Sequence, residues 1–318
     1  MRAVVAPNLG LSAPPAWDRL ARATFRVRQH YSYSYPSPIR DLRQQLIMLP
    51  PETHGAQRLL ERELRVDGAV DAHVLSQPDR FGNVVYHVTS PSVRTSVEFT
   101  ADFTVERYAT SVPLRVPDDA NTRVYRTQTS LTAPCNKIRS AARALSAEIH
   151  ETAVDMLAAE ILPDGIGCLD GDDVRQWALA QCGAAWAAHA ITYQFGVTGV
   201  QTPAAMALHL GRGVCQDFAH IAIAILRELH VPTRYVSGHL LGEGAPHAWI
   251  ETLLPDPDVR GQLRVVAYDP THGTTPGLDY VTVAVGRDYS DIAPTSGTFH
   301  GASGHFTARK QSWLVALA

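Results

Sequence analysis

The chain of 318 residues is short of several things, and each shortage narrows what it can be. It has four cysteines, Cys135, Cys168, Cys182 and Cys215, irregularly spaced and too few for a disulfide framework. Reduced thiols in a cytoplasm fit that usage. No run approaches roughly 18 consecutive apolar residues, so no transmembrane helix is expected. The start, Met1-Arg-Ala-Val-Val-Ala-Pro7, has no long apolar core followed by a cleavage pattern, and no signal peptide is read there. Charge of one sign is lacking too: 28 Lys and Arg against 31 Asp and Glu leave −3, which suggests neither nucleic acid nor an anionic membrane as partner. Close Cys or His pairs of the zinc-binding kind are absent, since thirteen residues separate Cys168 from Cys182. There is no His-Glu-x-x-His run, and Gly211-Arg-Gly-Val-Cys215 lacks the Lys-Ser/Thr ending of a phosphate-cradling loop. No acidic, oxygen-rich loop suggests calcium. Neither a metal nor another cofactor is expected.

What is present is an ordinary globular composition, 45% hydrophobic, in a chain long enough for two cores. Residues 1–21 are rich in Pro and Ala without a period and read as a loose arm. From Phe25 the pattern alternates strictly. Phe25, Val27, Tyr31, Tyr33 and Tyr35 fall on one side, and Arg26, Arg28, His30, Ser32 and Ser34 on the other, up to Pro36. Leu46–Leu49 reads as a short strand, Val84–Val88 as another after the Asp79–Asn83 turn. Val97, Phe99, Ala101, Phe103 and Val105 alternate again. These features predict a β-sandwich or barrel over residues 22–111, with a supporting or substrate-docking role. Residues 112–134 read as a connection.

Residues 135–318 read as an α+β unit, helices first and an antiparallel sheet after. Helices are expected at Ser140–Ala147, at Ala153–Ile161 and from Asp170 to about Phe195. Another starts at Thr202-Pro203, with Thr capping and Pro in the first turn. Strands are expected at Arg234–Leu241, Ala248–Leu254, Leu263–Tyr268 and Tyr280–Val285.

The chemistry concentrates at Gly211-Arg-Gly-Val-Cys-Gln-Asp-Phe-Ala-His220. Phe218, Ala222, Ile225 and Leu229 recur at helical spacing, so a helix begins at Cys215. Free amides and the macrodipole at that end favour a negative charge on the sulfur. A thiol nucleophile needs a base, and the base an orienting partner. His247, after the Gly242–Pro246 loop, and Asp269, before Pro270, supply both in chain order. A buried cysteine, a strand-end histidine and an Asp-Pro turn are the plainer roles of the three taken singly. The Cys215 amide, Tyr193, Gln194 and Gln216 are candidates to polarise a carbonyl or hold an oxyanion. Helix-end packing or simple exposure is the plainer role of those side chains. Asp217 reads as first-turn capping, and His220, five residues on, as facing away from the sulfur.

Four ordered segments, Gly213–Ala219, Arg234–Gly238, His247–Glu251 and Tyr268–Thr271, resemble the bacterial transglutaminase-like superfamily, as do Val283–Asp291 and Gly297–Phe299. Thr24–Val105 is similar to the β-rich domain that often precedes this core. The resemblance implies a papain-like core with Cys215 as nucleophile, His247 as base and Asp269 as its orienter. It also implies attack on an amide carbonyl and a thioester on the cysteine. Hydrolysis of a peptide or side-chain amide is the favoured outcome. Crosslinking of a glutamine carbonyl to an amine, and a non-catalytic peptide-binding module, stand as alternatives. His272 occupies a position where the family often has Asn.

Overall fold

The computed structural model describes residues 17–109, 113–151, 169 and 171–318. The helix expected at Ala153–Ile161, most of the expected arm and Cys168 lie outside the described residues.

The strand β6, Val84–Tyr108, is the spine of the first sheet. Its first part pairs with β2 (Ile39–Leu46) and β5 (His73–Pro78), and its last part with β1 (Arg22–Ser34) and β4 (Gln57–Val70), all antiparallel. The short β3, Thr53–His54, hangs on β4. The alternation read from Val97 to Val105 is real: Val97, Phe99, Ala101, Phe103 and Val105 are buried. On the other face Asp102 takes hydrogen bonds from Arg26 and Arg28. The second strand spans Ile39–Leu46 rather than Leu46–Leu49. Ile47, Met48 and Leu49 leave the ladder and pack as buried side chains, so their apolar run reports a core position and not a strand.

Two strands of this sheet come from the far end of the chain. The strand β14, Thr295–His300, pairs with β2, and β15, His305–Leu317, runs antiparallel to β1 along nearly its full length. The N-terminal sheet is therefore closed off by residues that sequence order places in the 135–318 unit. Conversely, β7 (Arg115–Pro117), inside the expected connection, joins the second sheet.

That second sheet is antiparallel, in the order β13-β10-β11-β12-β7, with β10 at Thr233–Leu240, β11 at His247–Pro255, β12 at Gln262–Tyr268 and β13 at Tyr280–Gly286. Helices cover one face. After α1 (Ala120–Arg123) come α2 (Asn136–Glu151), α3 (Gly171–Ala188), α4 (Ala204–Leu210) and α5 (Cys215–Glu228). Of these, α5 is central: it touches α2, α3 and α4 and lies on β10 and β11. Every residue from Gln216 to Arg227 is buried, which is why the apolar pattern extends beyond one stripe. Arg227 is accommodated by donating to the carbonyls of Tyr125, Thr127, Thr233 and Arg287. The helix read from Asp170 to Phe195 ends at Ala188. Thr192–Tyr193 (β8) pairs instead with Arg212–Gly213 (β9), a two-stranded parallel bridge just ahead of Cys215.

Candidate active site

Backbone constraints place Cys215 at the head of α5. Gly211 ends α4 in the left-handed region at φ +69°, with its amide on Ala207 O at 3.0 Å. Gly213 is required for a steric reason: a Cβ there comes 2.5 Å from Asp217 Oδ2. Asp217, at the third helical position, uses that carboxylate to accept from Val214 N at 2.8 Å and from Thr198 Oγ1 at 2.6 Å. Asp217 thus fixes the loop carrying the cysteine, the capping role its position suggests. His220 is fully buried and accepts from Tyr289 N, so it belongs to the core and not to the sulfur.

His247 opens β11 opposite Gly238 of β10. Its Nε2 lies 2.7 Å from Asp269 Oδ2, and both side chains are buried. Burial opposes charge on this imidazole, but hydrogen bonds to Asp269 and to Cys215 outweigh it and raise its pKa to about 10. Asp269 shows the same contest: burial pushes its carboxyl up, and hydrogen bonds from His247, His272 and Tyr280 hold it far below the ordinary carboxylate range. Its Oδ2 receives three donors at 2.7 Å, His247 Nε2, His272 Nδ1 and Tyr280 Oη, while Oδ1 accepts from Thr271 N at 2.8 Å. The structure thus joins His247 to Asp269 by a 2.7 Å hydrogen bond and places Cys215 where it acts on the same imidazole.

The floor under the histidine is aromatic. Trp249 stacks near His247 with ring centroids 6.2 Å apart, and Tyr280 meets Trp249 edge-on at 5.4 Å. Gly238 makes room for that indole, because a Cβ there overlaps the Val281 carbonyl and comes 2.5 Å from the Trp249 ring. Tyr280 and Glu243 carried no signal in the sequence beyond a strand pattern and a loop. His272 showed only as a departure from the resembled motif, though its place three residues after Asp269 was a usable hint. His247, Asp269 and His272 present ligand atoms within 4.8 Å of one another. Both nitrogens are 2.7 Å from one oxygen, a hydrogen-bond spacing; ligands around a tetrahedral zinc sit roughly 3.3 Å apart.

The oxyanion candidates separate. Tyr193, exposed on β8, feels Cys215 and Glu243 electrostatically; burial first, and then those two groups, raise its phenol pKa. Gln194 sits on the same bridge, its amide N on Gly213 O at 2.8 Å, but its side-chain oxygen accepts from Arg212 at 3.2 Å. Gln216 is buried, and its Nε2 donates to Val200 O at 3.0 Å.

A helix-headed cysteine, a strand histidine and a carboxylate on an α+β core, preceded by a β-rich domain, define the transglutaminase-like class of proteins. Residues 171–263 match the Transglutaminase-like superfamily, and residues 25–106 match the Bacterial transglutaminase-like N-terminal region. The chain thus carries a transglutaminase-like core segment and, ahead of it, a bacterial transglutaminase-like N-terminal segment. A solved structure of a proposed cysteine protease from Cytophaga hutchinsonii aligns over 92% of this chain and 91% of its own, with a TM-score of 0.61 at 18% identity, and shares the fold. An uncharacterized protein of Mycobacterium leprae is 41% identical over 128 residues, 37% of this chain and 43% of that protein. One from Mycobacterium tuberculosis H37Rv is 35% identical over 120 residues, 34% of this chain and 38% of that protein. The chain thus spans less than half the length of these curated relatives.

Proposed function

We propose that the protein is a thiol-dependent acyl-transfer enzyme that hydrolyses peptide or glutamine-type amides through an acyl-Cys215 intermediate. The observation that carries this reading is the series Cys215, His247, Asp269, with the imidazole pKa raised to about 10 despite burial. With His247 Nε2 committed to Asp269, Nδ1 is left to exchange a proton with Cys215. Sγ of Cys215 attacks the amide carbon, and the carbonyl oxygen becomes an oxyanion facing the first amides of α5. Collapse breaks the C–N bond, and the leaving amine takes the proton from His247. Water then adds to the thioester with His247 as base, releasing the acid and restoring the thiol. A peptide or protein is the substrate class, and the protein works in the cytoplasm without a cofactor.

The test is direct. Incubation with a peptide library and a labelled primary amine, followed by mass spectrometry of Cys215, is expected to trap an acyl adduct and to release free acid. Label in the product in place of acid would point to crosslinking. A Cys215→Ala protein that turns over substrate at the wild-type rate would overturn the reading.

A further inference from the structure

The turn between β10 and β11 carries an acid that the series Cys215, His247, Asp269 does not use. Gly242 adopts φ +94°, and Glu243 N donates to Leu240 O at 3.3 Å. The turn delivers the Glu243 carboxylate to two histidines at once. Oε2 lies 3.5 Å from His247 Nδ1, and Oε1 lies 3.9 Å from His272 Nε2. The opposite nitrogens, His247 Nε2 and His272 Nδ1, are each 2.7 Å from Asp269 Oδ2. Two carboxylates and two imidazoles therefore face one another in a ring, hydrogen-bonded on the Asp269 side and at ion-pair distance on the Glu243 side, and Cys215 acts on one member. Lys310 pins the turn. From β15 its Nζ donates to Leu240 O at 3.3 Å and Ala245 O at 3.0 Å, on either side of Glu243. Burial lowers the Lys310 ammonium pKa to about 8, against the pull of Glu243. A strand of the N-terminal sheet thereby reaches the turn that leads into His247.

We propose that Glu243 is a positioning residue for His247, holding Nδ1 toward the space it shares with Cys215, and that Lys310 fixes Glu243 in that place. The inference rests on the reading of Cys215 and His247 as nucleophile and base. Asp269 alone anchors one edge of the imidazole; a second carboxylate at the other edge limits how the ring tilts about that single bond. The same carboxylate favours the charged imidazole. Among the described residues the other titratable groups facing this spot are Cys215 on α5, Tyr193 on β8, His272 and Asp269 after β12, Asp279 before β13, Tyr280 on β13 and Lys310 on β15.

Alkylation of Cys215 by iodoacetamide, followed by mass spectrometry from about pH 4 to 11, reads the sulfur–imidazole pair without needing a substrate. The wild-type profile is expected to show two limbs, one for forming the pair and one for losing the imidazole proton. In Glu243→Gln both limbs move to lower pH by about one unit. A merely structural loss would lower the plateau and leave the limbs in place. In a Lys310→Met background the Glu243→Gln shift is expected to fall to less than about half, the non-additivity of residues acting together. A wild-type profile with a single limb overturns the pair and the proposed function with it. Two limbs that Glu243→Gln leaves unmoved overturn the role of Glu243 alone, and an undiminished shift without Lys310 overturns the pinning.

Discussion

Asp269 is fully buried, yet it is the residue that decides whether His247 can hold a proton. With the carboxylate gone, burial acts on the imidazole with its main opposing partner removed, and the charged form is lost at lower pH. Asp269→Asn is accordingly expected to cut turnover by about 10,000-fold, the scale seen when a triad carboxylate is neutralised. The same change should slow Cys215 alkylation near neutrality, and stopped-flow labelling against a melting control would check it. His272→Asn keeps a hydrogen-bonding side chain three residues from Asp269, whose Oδ2 retains His247 and Tyr280, and is expected to lower turnover far less than Asp269→Asn. Cys215, His247 and Asp269 were legible because each lies in a short segment whose neighbours state its backbone setting. Glu243 was not, since its meaning depends on where a glycine turn aims it, and His272 gained its role only when a third donor was found on one oxygen.

At the scale of elements, two glycines hold the site open. Gly238 lies under Trp249 on β10, and Gly213 lies under Asp217 ahead of α5. Neither contact is a sequence neighbour in the ordinary sense. The Gly238 contact joins three strands, so no pattern could reveal it, whereas the Gly213 contact spans four residues and belongs to a segment already singled out. Gly238→Ala forces a Cβ against rigid neighbours, a carbonyl and an indole, and is expected to destabilise the protein by about 2 kcal/mol or more in urea. Gly244→Ala, where an added Cβ meets nothing within 4 Å, should stay within about 0.5 kcal/mol. Equal effects at the two positions would show that the indole is not packed as described. Where one face alone was buried, as along β6, the period of two was readable. At α5 and β11, buried all round, apolar runs marked the element but not its neighbours.

On the scale of the whole molecule, the two halves are joined by pairings that sequence order conceals. The long pairing of β15 with β1 is one, and no local signal could announce that residues 305–317 return to a strand beginning at Arg22. A charged contact is the other. Glu251 of β11 is buried and accepts from Arg234 at 2.7 Å and from His54 of the first sheet at 2.8 Å. Burial pushes its carboxyl up, but Arg234 and His54 overcome this and lower the pKa to about 2. A depressed carboxylate contributes stability that is fully present above its unfolded value, near 4.3, and is lost as pH falls through the folded one. The window is thus about pH 4.5 down to 2, and the contribution at stake is roughly 3 kcal/mol. Urea midpoints should fall across that window in the wild type. In a Glu251→Gln, Arg234→Met protein, which removes the hydrogen-bonded cation together with its carboxylate, the fall should be shallower by about that amount. Parallel curves for the two proteins would mean that the acid lability resides elsewhere, and that the contact between the sheets at His54 is held by packing alone.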